Sequence, residues 1–206
     1  MAAQSQPYLT PEQYLQIERA AEFRSEYYDG VMYAMSGGTH VHALIIGNLC
    51  RELGNALKNR PCLVTVSDLR VRAARKGLYT YPDITVVCDE PRYVDGESDT
   101  LLNPALLIEV LSPSTESHDR GFKAGQYRRI PDLKEYALVS QKVPQIELYR
   151  RQPDGKWLLS EAIGLESTCY FDSVECSIPM AEIYAKVTLP GETPLPRPTV
   201  PPPLES

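Results

Sequence analysis

Val41, Ile45, Leu49, Leu53 and Leu57 recur every four residues behind Thr39, which lays an apolar stripe along one face of a helix and predicts one from Thr39 to about Lys58. A shorter helix is predicted from Pro11 to about Ala21, with Thr10 as N-cap, Pro11 at the first helical position and Gln13 completing a capping box. Glu26–Met35 reads as a hairpin, two β-prone runs around Asp29-Gly30, closed by the breaker Ser36-Gly37-Gly38. Three strand signals follow. Cys62–Val66 continues past Ser67-Asp68 through Leu69–Arg72, where Leu69 and Val71 alternate with Arg70 and Arg72. Tyr79–Cys88 is rich in β-branched and aromatic residues, and Pro82 places it at a sheet edge or near its own beginning. Pro104–Leu111 is a continuous apolar run, the pattern of a strand buried on both faces.

Asp89–Asn103 is polar and rich in turn formers, so it reads as a loop. A helix is predicted from Ser114 or Thr115 to Arg129, stopped by Ile130-Pro131. Lys134–Ser140 is a further strand, Gln145–Arg151 and Lys156–Ile163 form a second hairpin around Pro153-Asp154-Gly155, and Pro179–Val187 forms a short helix. The order predicts an α/β chain of the α+β kind: an α-β-β-β-α-β core over about 39–140, its mixed sheet flanked by helices, with an N-terminal helix and hairpin and a C-terminal hairpin. One domain is expected over 1–189. Seven of the seventeen residues from Pro190 onward are proline, which predicts an extended tail over 190–206.

A length of 206 residues, 43% hydrophobic and 23% charged, is ordinary for a globular protein with one core. Apolar runs such as Ala43–Ile46 and Ala105–Ile108 fall far short of the ~20 residues that a membrane-spanning helix needs. The first residues carry neither a basic patch nor an apolar stretch, so no signal peptide is expected. Five cysteines, an odd number without a C-x-x-C pair, argue against a disulfide framework and a zinc ribbon. Five free thiols and a reducing, cytoplasmic home are the expectation. The net charge of −6 excludes nucleic-acid binding through overall charge and leaves it to local basic patches. Candidates are Arg70, Arg72, Arg75 and Lys76, and Arg120, Lys123, Arg128 and Arg129; the same runs also fit an ordinary solvated face.

Glu109 interrupts the buried run with an ionisable group, whose burial costs several kcal/mol unless it is paired or bound to a cation. Two readings stay open: a salt bridge to an arginine across the sheet, or a share in a cation site. Asp83 lies on the preceding strand signal, and if the two strands are neighbours both carboxylates point to one spot. Paired hard oxygens of that kind are what Mg²⁺ or Mn²⁺ prefers. Asp119, Lys123 and Tyr127 share one helix face by their i, i+4, i+8 spacing.

The runs Tyr81-Pro82-Asp83-Ile84-Thr85-Val86-Val87 and Leu107-Ile108-Glu109-Val110-Leu111-Ser112-Pro113-Ser114-Thr115, with Asp119, Lys123 and Tyr127 beyond them, resemble the Uma2 family. Glu26 with Asp29-Gly30, His42 with Asn48-Leu49, and Ser67–Val71 extend the resemblance, which covers about residues 10–187. It implies a restriction-endonuclease-like fold of the PD-(D/E)xK superfamily and metal-dependent endonuclease activity on DNA. By the resemblance, Asp83 and Glu109 bind Mg²⁺ or Mn²⁺ together with the main-chain carbonyl of Val110. The motif lysine falls on Leu111, a departure, and Lys123 on the next helix is the substitute. Glu26 matches an additional acid before the core; a plain surface position is its alternative. His42 reads as a polar or substrate-contacting group. A homodimer pooling basic loops would offset the acidic charge. The competing function is a catalytically degenerate nuclease fold acting as a binding or assembly module, which the missing lysine at Leu111 favours.

Overall fold

Thr10 Oγ1 accepts from the Gln13 amide and Gln13 Oε1 accepts from the Thr10 amide, so the expected capping box starts α1 (Pro11–Ala20). Asp29 at φ 44° and Gly30 at φ 86° form the tight turn that joins β1 (Ser25–Tyr28) to β2 (Val31–Ala34). The computed structural model describes residues 8–35, 37–74 and 77–190; the predicted proline-rich tail and the Arg75-Lys76 pair lie outside them or nearly so, Pro190 alone being described. Thr39 caps α2 (His40–Leu57), and its Ile45, Leu49, Leu53 and Leu57 are buried as the four-residue repeat requires.

The next two strand signals each break in two. β3 (Leu63–Val66) ends at a turn in which the Leu69 amide donates to the Val66 carbonyl, and β4 (Arg70–Ala73) leaves for a different sheet. β5 (Leu78–Thr80) stays beside β4, and after Tyr81-Pro82-Asp83 the chain returns as β6 (Ile84–Val87). Pro82 has no amide to continue a ladder, so the break falls there. β7 (Thr100–Leu101) is a short strand inside the predicted loop. β8 (Leu106–Val110) is buried throughout, as its apolar run predicts.

The predicted helix after Ser114 is composite: α3 (Glu116–His118), a π-helical turn (Asp119–Lys123) and α4 (Ala124–Tyr127). β9 (Glu135–Val139), β10 (Gln145–Arg151) and β11 (Trp157–Ile163) follow as expected. β12 (Thr168–Phe171) and β13 (Cys176–Pro179) form a two-stranded sheet that the sequence pattern did not signal, and α5 (Met180–Ile183) shortens the last predicted helix.

The six-stranded sheet runs β11-β10-β9-β8-β6-β3, antiparallel except for the parallel β8–β9 pair. With α2 before it and the 116–127 helix as the β8–β9 crossover, it is the expected α-β-β-β-α-β core of a mixed α+β fold. The five-stranded sheet, β2-β1-β5-β4-β7, is built from the N-terminal hairpin and the segments that leave the first sheet. Along β8, Leu106, Ile108 and Val110 pack toward α2 in one apolar cluster. Leu107 and Leu111 pack in the other, with Tyr127 of the crossover helix and Val71 and Leu78 of the second sheet. Glu109 shares the Leu107–Leu111 parity, so it faces the crossover helix. Among the described residues no helix is long and apolar enough to cross a membrane.

One expectation is corrected. Leu63 pairs with Val87 across β3 and β6, which sets Cys62 beside Cys88, and these two are disulfide-bonded. Cys50, Cys169 and Cys176 are free. No local spacing signals such a bridge, because its partners lie 26 residues apart and meet only through strand pairing. Closing a loop of that size in the unfolded chain stabilises the fold by about 3.5 kcal/mol. Reductant should therefore lower the melting temperature, and non-reducing mass spectrometry of the denatured protein should count three free thiols. Five free thiols would refute the bridge.

Candidate active site

β6 and β8 pair antiparallel with Ile84 opposite Ile108, so Asp83, one residue ahead of β6, falls opposite Glu109. The two acids that the sequence places on successive strands thus meet on neighbouring strands. Asp83 Oδ2 accepts from the Val110 amide at 2.7 Å and lies 3.2 Å from His42 Nε2. The Val110 carbonyl also favours the charged form of the His42 ring. Burial works to lower the His42 pKa, but Asp83 and the carbonyl outweigh it and raise it. A Cβ at Gly38 would stand 2.7 Å from His42 Nδ1, so glycine there leaves the imidazole room to reach Asp83.

Glu109 is 4% exposed, and its Oε1 accepts from the Tyr127 hydroxyl at 2.7 Å. Lys123 Nζ lies 3.3 Å from the same oxygen, 2.9 Å from Glu26 Oε1 and 3.5 Å from Asp119 Oδ1. Glu26 comes from β1 and also accepts a hydrogen bond from the Thr80 hydroxyl. The structure brings together Asp83, Glu109, Val110, Lys123 and Glu26, all five positions singled out in the sequence. Asp119 and Tyr127, which share a helix face with Lys123, join them, and so does His42, which the sequence marks as a polar or substrate-contacting group and the fold sets beside Asp83. Leu111 is buried against the crossover helix, on the same side of β8 as Glu109, so the helix that covers Leu111 is the one that supplies Lys123.

Burial lowers the affinity of Lys123 for its proton, but Glu109, Glu26 and Asp119 outweigh it and hold the ammonium charged well above the usual range. Burial raises Asp119, opposed by Lys123. Glu109 is pushed up to about 8 by burial, opposed by Lys123 and reinforced by Asp83 and Asp119. One ammonium cannot neutralise so many buried carboxylates.

That imbalance bears on a metal. Asp83 and Glu109 carboxylates and the Val110 carbonyl are hard oxygen donors, and Asp119 Oδ1 is buried without a hydrogen bond in this acidic pocket. The donor set fits Mg²⁺ or Mn²⁺. Among the described residues no three His, Cys, Asp or Glu side chains cluster closely enough to hold an ion alone. Mg²⁺ characteristically takes one or two carboxylates and fills its other positions with water and substrate oxygens. The acids open into a cleft of about 330 Å³ between Gly37–Thr39 and Ser112–Thr115.

The basic clusters fare differently. Arg70 is buried, donating to Thr100 and Tyr81 and paired with Asp99, so it supports the second sheet and is not placed to hold phosphate. Arg120 is paired with Glu116 and Glu147. Arg128 and Arg129 are exposed.

A mixed sheet with the α-β-β-β-α-β order, with one acid just ahead of β6 facing another on β8, defines a restriction-endonuclease-like protein. The chain belongs to the Uma2 family, whose model, described as "Putative restriction endonuclease", matches residues 11–175. Two similar proteins come from Synechocystis sp. (strain ATCC 27184 / PCC 6803 / Kazusa). The uncharacterized protein slr1290 is 42% identical over 154 residues, 74% of this chain and 80% of the relative. The uncharacterized protein sll1609 is 37% identical over 156 residues, 76% and 88% of the two chains. A crystal structure described as "a putative nuclease belonging to DUF820" from Anabaena variabilis ATCC 29413 has the same fold. Its TM-score is 0.69 at 19% identity, covering 85% of this chain and 97% of that one.

The raised Glu109 makes metal-free stability depend on pH. Between about 4.5, the ordinary value, and about 8, the folded protein holds a proton that the unfolded chain has released. Stability contributed by this group is full below that window and is lost as pH rises through it. Thermal melts of metal-free Glu109→Gln from pH 5 to 8 should therefore fall less steeply than wild type. Parallel slopes would show that Glu109 titrates normally.

Proposed function

We propose that this chain is a divalent-metal-dependent endonuclease that hydrolyses phosphodiester bonds in DNA. The observation that carries the reading is the position of Lys123, whose ammonium lies 3.3 Å from Glu109 although the motif lysine position is Leu111. Asp83, Glu109 and the Val110 carbonyl are the residues that would hold Mg²⁺ or Mn²⁺. When bound, the cation polarises the scissile phosphate and lowers the pKa of coordinated water.

The chain's own groups have distinct parts in this reading. Lys123 stays charged, orients the attacking water and offsets negative charge growing on the phosphorus oxygens. Glu26 and Asp119 hold its ammonium in place, and Tyr127 fixes the rotamer of Glu109 through its hydroxyl. His42 aligns Asp83 with the Val110 carbonyl. The Ser112 hydroxyl, within hydrogen-bond distance of those of Ser114 and Thr115, forms with them a lip able to meet phosphate oxygens. Exposed Arg128 and Arg129 offer phosphate contacts outside the cleft, which a homodimer would double.

The test is cleavage of supercoiled, linear, branched and single-stranded DNA with Mg²⁺ or Mn²⁺. Asp83→Asn and Glu109→Gln should abolish cleavage in protein that stays folded by circular dichroism. Lys123→Met keeps the stem and removes the charge, and should cost on the order of 10²-fold in rate, the scale of losing one transition-state charge stabiliser. Cleavage by either carboxylate variant at the wild-type rate would refute the site. Absence of cleavage and of metal binding in the wild type would leave the binding or assembly module as the function.

A further inference from the structure

Beside the acidic cleft lies a second cavity of about 410 Å³, lined by Glu26, Tyr28, Tyr33, Leu78, His118 and Phe122. It shares Glu26 and His118 with the first. The adjacency is built into two elements at once. On the hairpin, Tyr33 stands opposite Glu26, and Tyr28 follows Glu26 by two residues, so all three share one face of the β1–β2 ribbon. Glu26 reaches Lys123, while the two tyrosines line the neighbouring cavity. On the crossover helix, Asp119 and Lys123 serve the acidic cluster, and His118 and Phe122, each one residue earlier, serve the cavity.

Its walls are aromatic. The Phe122 ring meets Tyr28 edge-on at 4.7 Å between centroids and lies 4.9 Å from the His118 ring at an interplanar angle of 31°. Tyr33 is 52% exposed, and Leu78 is buried at 1%. Nothing in the acidic cluster's chemistry calls for an exposed tyrosine and a half-open aromatic box at this spot. A flat, partly apolar ring with polar edges fits it, and a nucleobase is such a ring.

We propose that this cavity is a nucleobase subsite that stacks one unpaired base of the substrate next to the scissile phosphate, so that the enzyme acts on unpaired strands. The substrate class rests on the nuclease reading above; the stacking site does not. Two further observations favour an unpaired strand over a duplex. Glu109, Asp119 and Lys123 are all less than a tenth exposed, at the bottom of a cleft of about 330 Å³, which a single flexible strand enters more readily than a stiff double helix. Among the described residues, Lys123 in that cleft and Arg120 and Lys142 on the elements that carry it are already paired with carboxylates, so none of the three is free to hold the second phosphate backbone of a duplex. Base stacking on aromatic side chains supplies affinity without such a rail, because every base has a π-face.

The experiment uses the full chain in metal-free, low-salt buffer, where binding is read apart from cleavage. The probe is a short strand carrying 2-aminopurine, alone or annealed to its complement. The unpaired strand should bind ~10-fold more tightly than the duplex, the effect of about one stacked base, with quenching of 2-aminopurine emission. Tyr33→Ala, at an exposed position where folding is not at stake, should remove that advantage and the quenching while duplex binding stays unchanged. Tyr33→Trp should restore both, and Phe122→Leu should weaken both. Equal affinity for the two probes, no quenching, no binding of either, or a Tyr33→Ala protein identical to wild type would each overturn the subsite. Quenching without metal-dependent cleavage would sink the nuclease reading alone. Cleavage of duplex with no Tyr33 dependence would sink the unpaired-strand inference alone.

Discussion

A single buried ammonium, that of Lys123, holds three carboxylates that arrive from three places in the chain. Glu26 comes from the N-terminal hairpin, Glu109 from the central strand of the six-stranded sheet, and Asp119 from Lys123's own helical turn. Removing any of these charges from water is costly, and the pairing only partly repays it. The elements around the cluster are therefore tied to one another by electrostatics as well as by apolar packing. The residual negative charge that makes the cluster expensive is also what would draw a divalent cation to it.

The second sheet matters because of this constraint. The chain leaves the six-stranded sheet after β3 and returns at β6, and in between it builds the strands on which the hairpin rests. β5 pairs with β1 through Tyr79 and Tyr27, and Thr80 on β5 hydrogen-bonds Glu26. Beneath it, buried Arg70 joins Thr100, Tyr81 and Asp99. The arginine that looks like a phosphate contact in the sequence is thus a strut for the wall that carries Glu26. On the other side, the crossover helix around the π-helical turn at Asp119–Lys123 presents two adjacent pairs, Asp119 and Lys123 to the acids and His118 and Phe122 to the aromatic cavity. Such turns add a residue within a helix and occur often at functional sites.

Much of this was legible in the sequence, for identifiable reasons. The α2 repeat, the capping box of α1, the Asp-Gly turn and the apolar β8 run are local signals, and each was read correctly. Glu109 stood out because a carboxylate in an apolar run demands an explanation, Asp83 because it lies on the preceding strand signal, and Lys123 through the family resemblance, as the substitute for the lysine absent at Leu111. What escaped depended on contacts distant in sequence. The breaks at Ser67-Asp68 and Tyr81–Asp83 were invisible as sheet changes, since β-propensity is the same whichever sheet a strand joins. Cys62 and Cys88 are brought together only by the β3–β6 register. Arg70 and Arg128 look alike in the sequence, and only the fold shows the first buried against Thr100, Tyr81 and Asp99 and the second exposed.

The account stands on the cluster being a site for a divalent cation, and a calorimetric titration of Mn²⁺ into the metal-free protein addresses that most directly. Saturable binding is expected in the wild type and in Lys123→Met, where both carboxylates and the Val110 carbonyl remain, and its loss is expected in Glu109→Gln. A wild-type protein that takes up no Mn²⁺, or a Glu109→Gln protein that binds it as well as wild type does, would contradict the account.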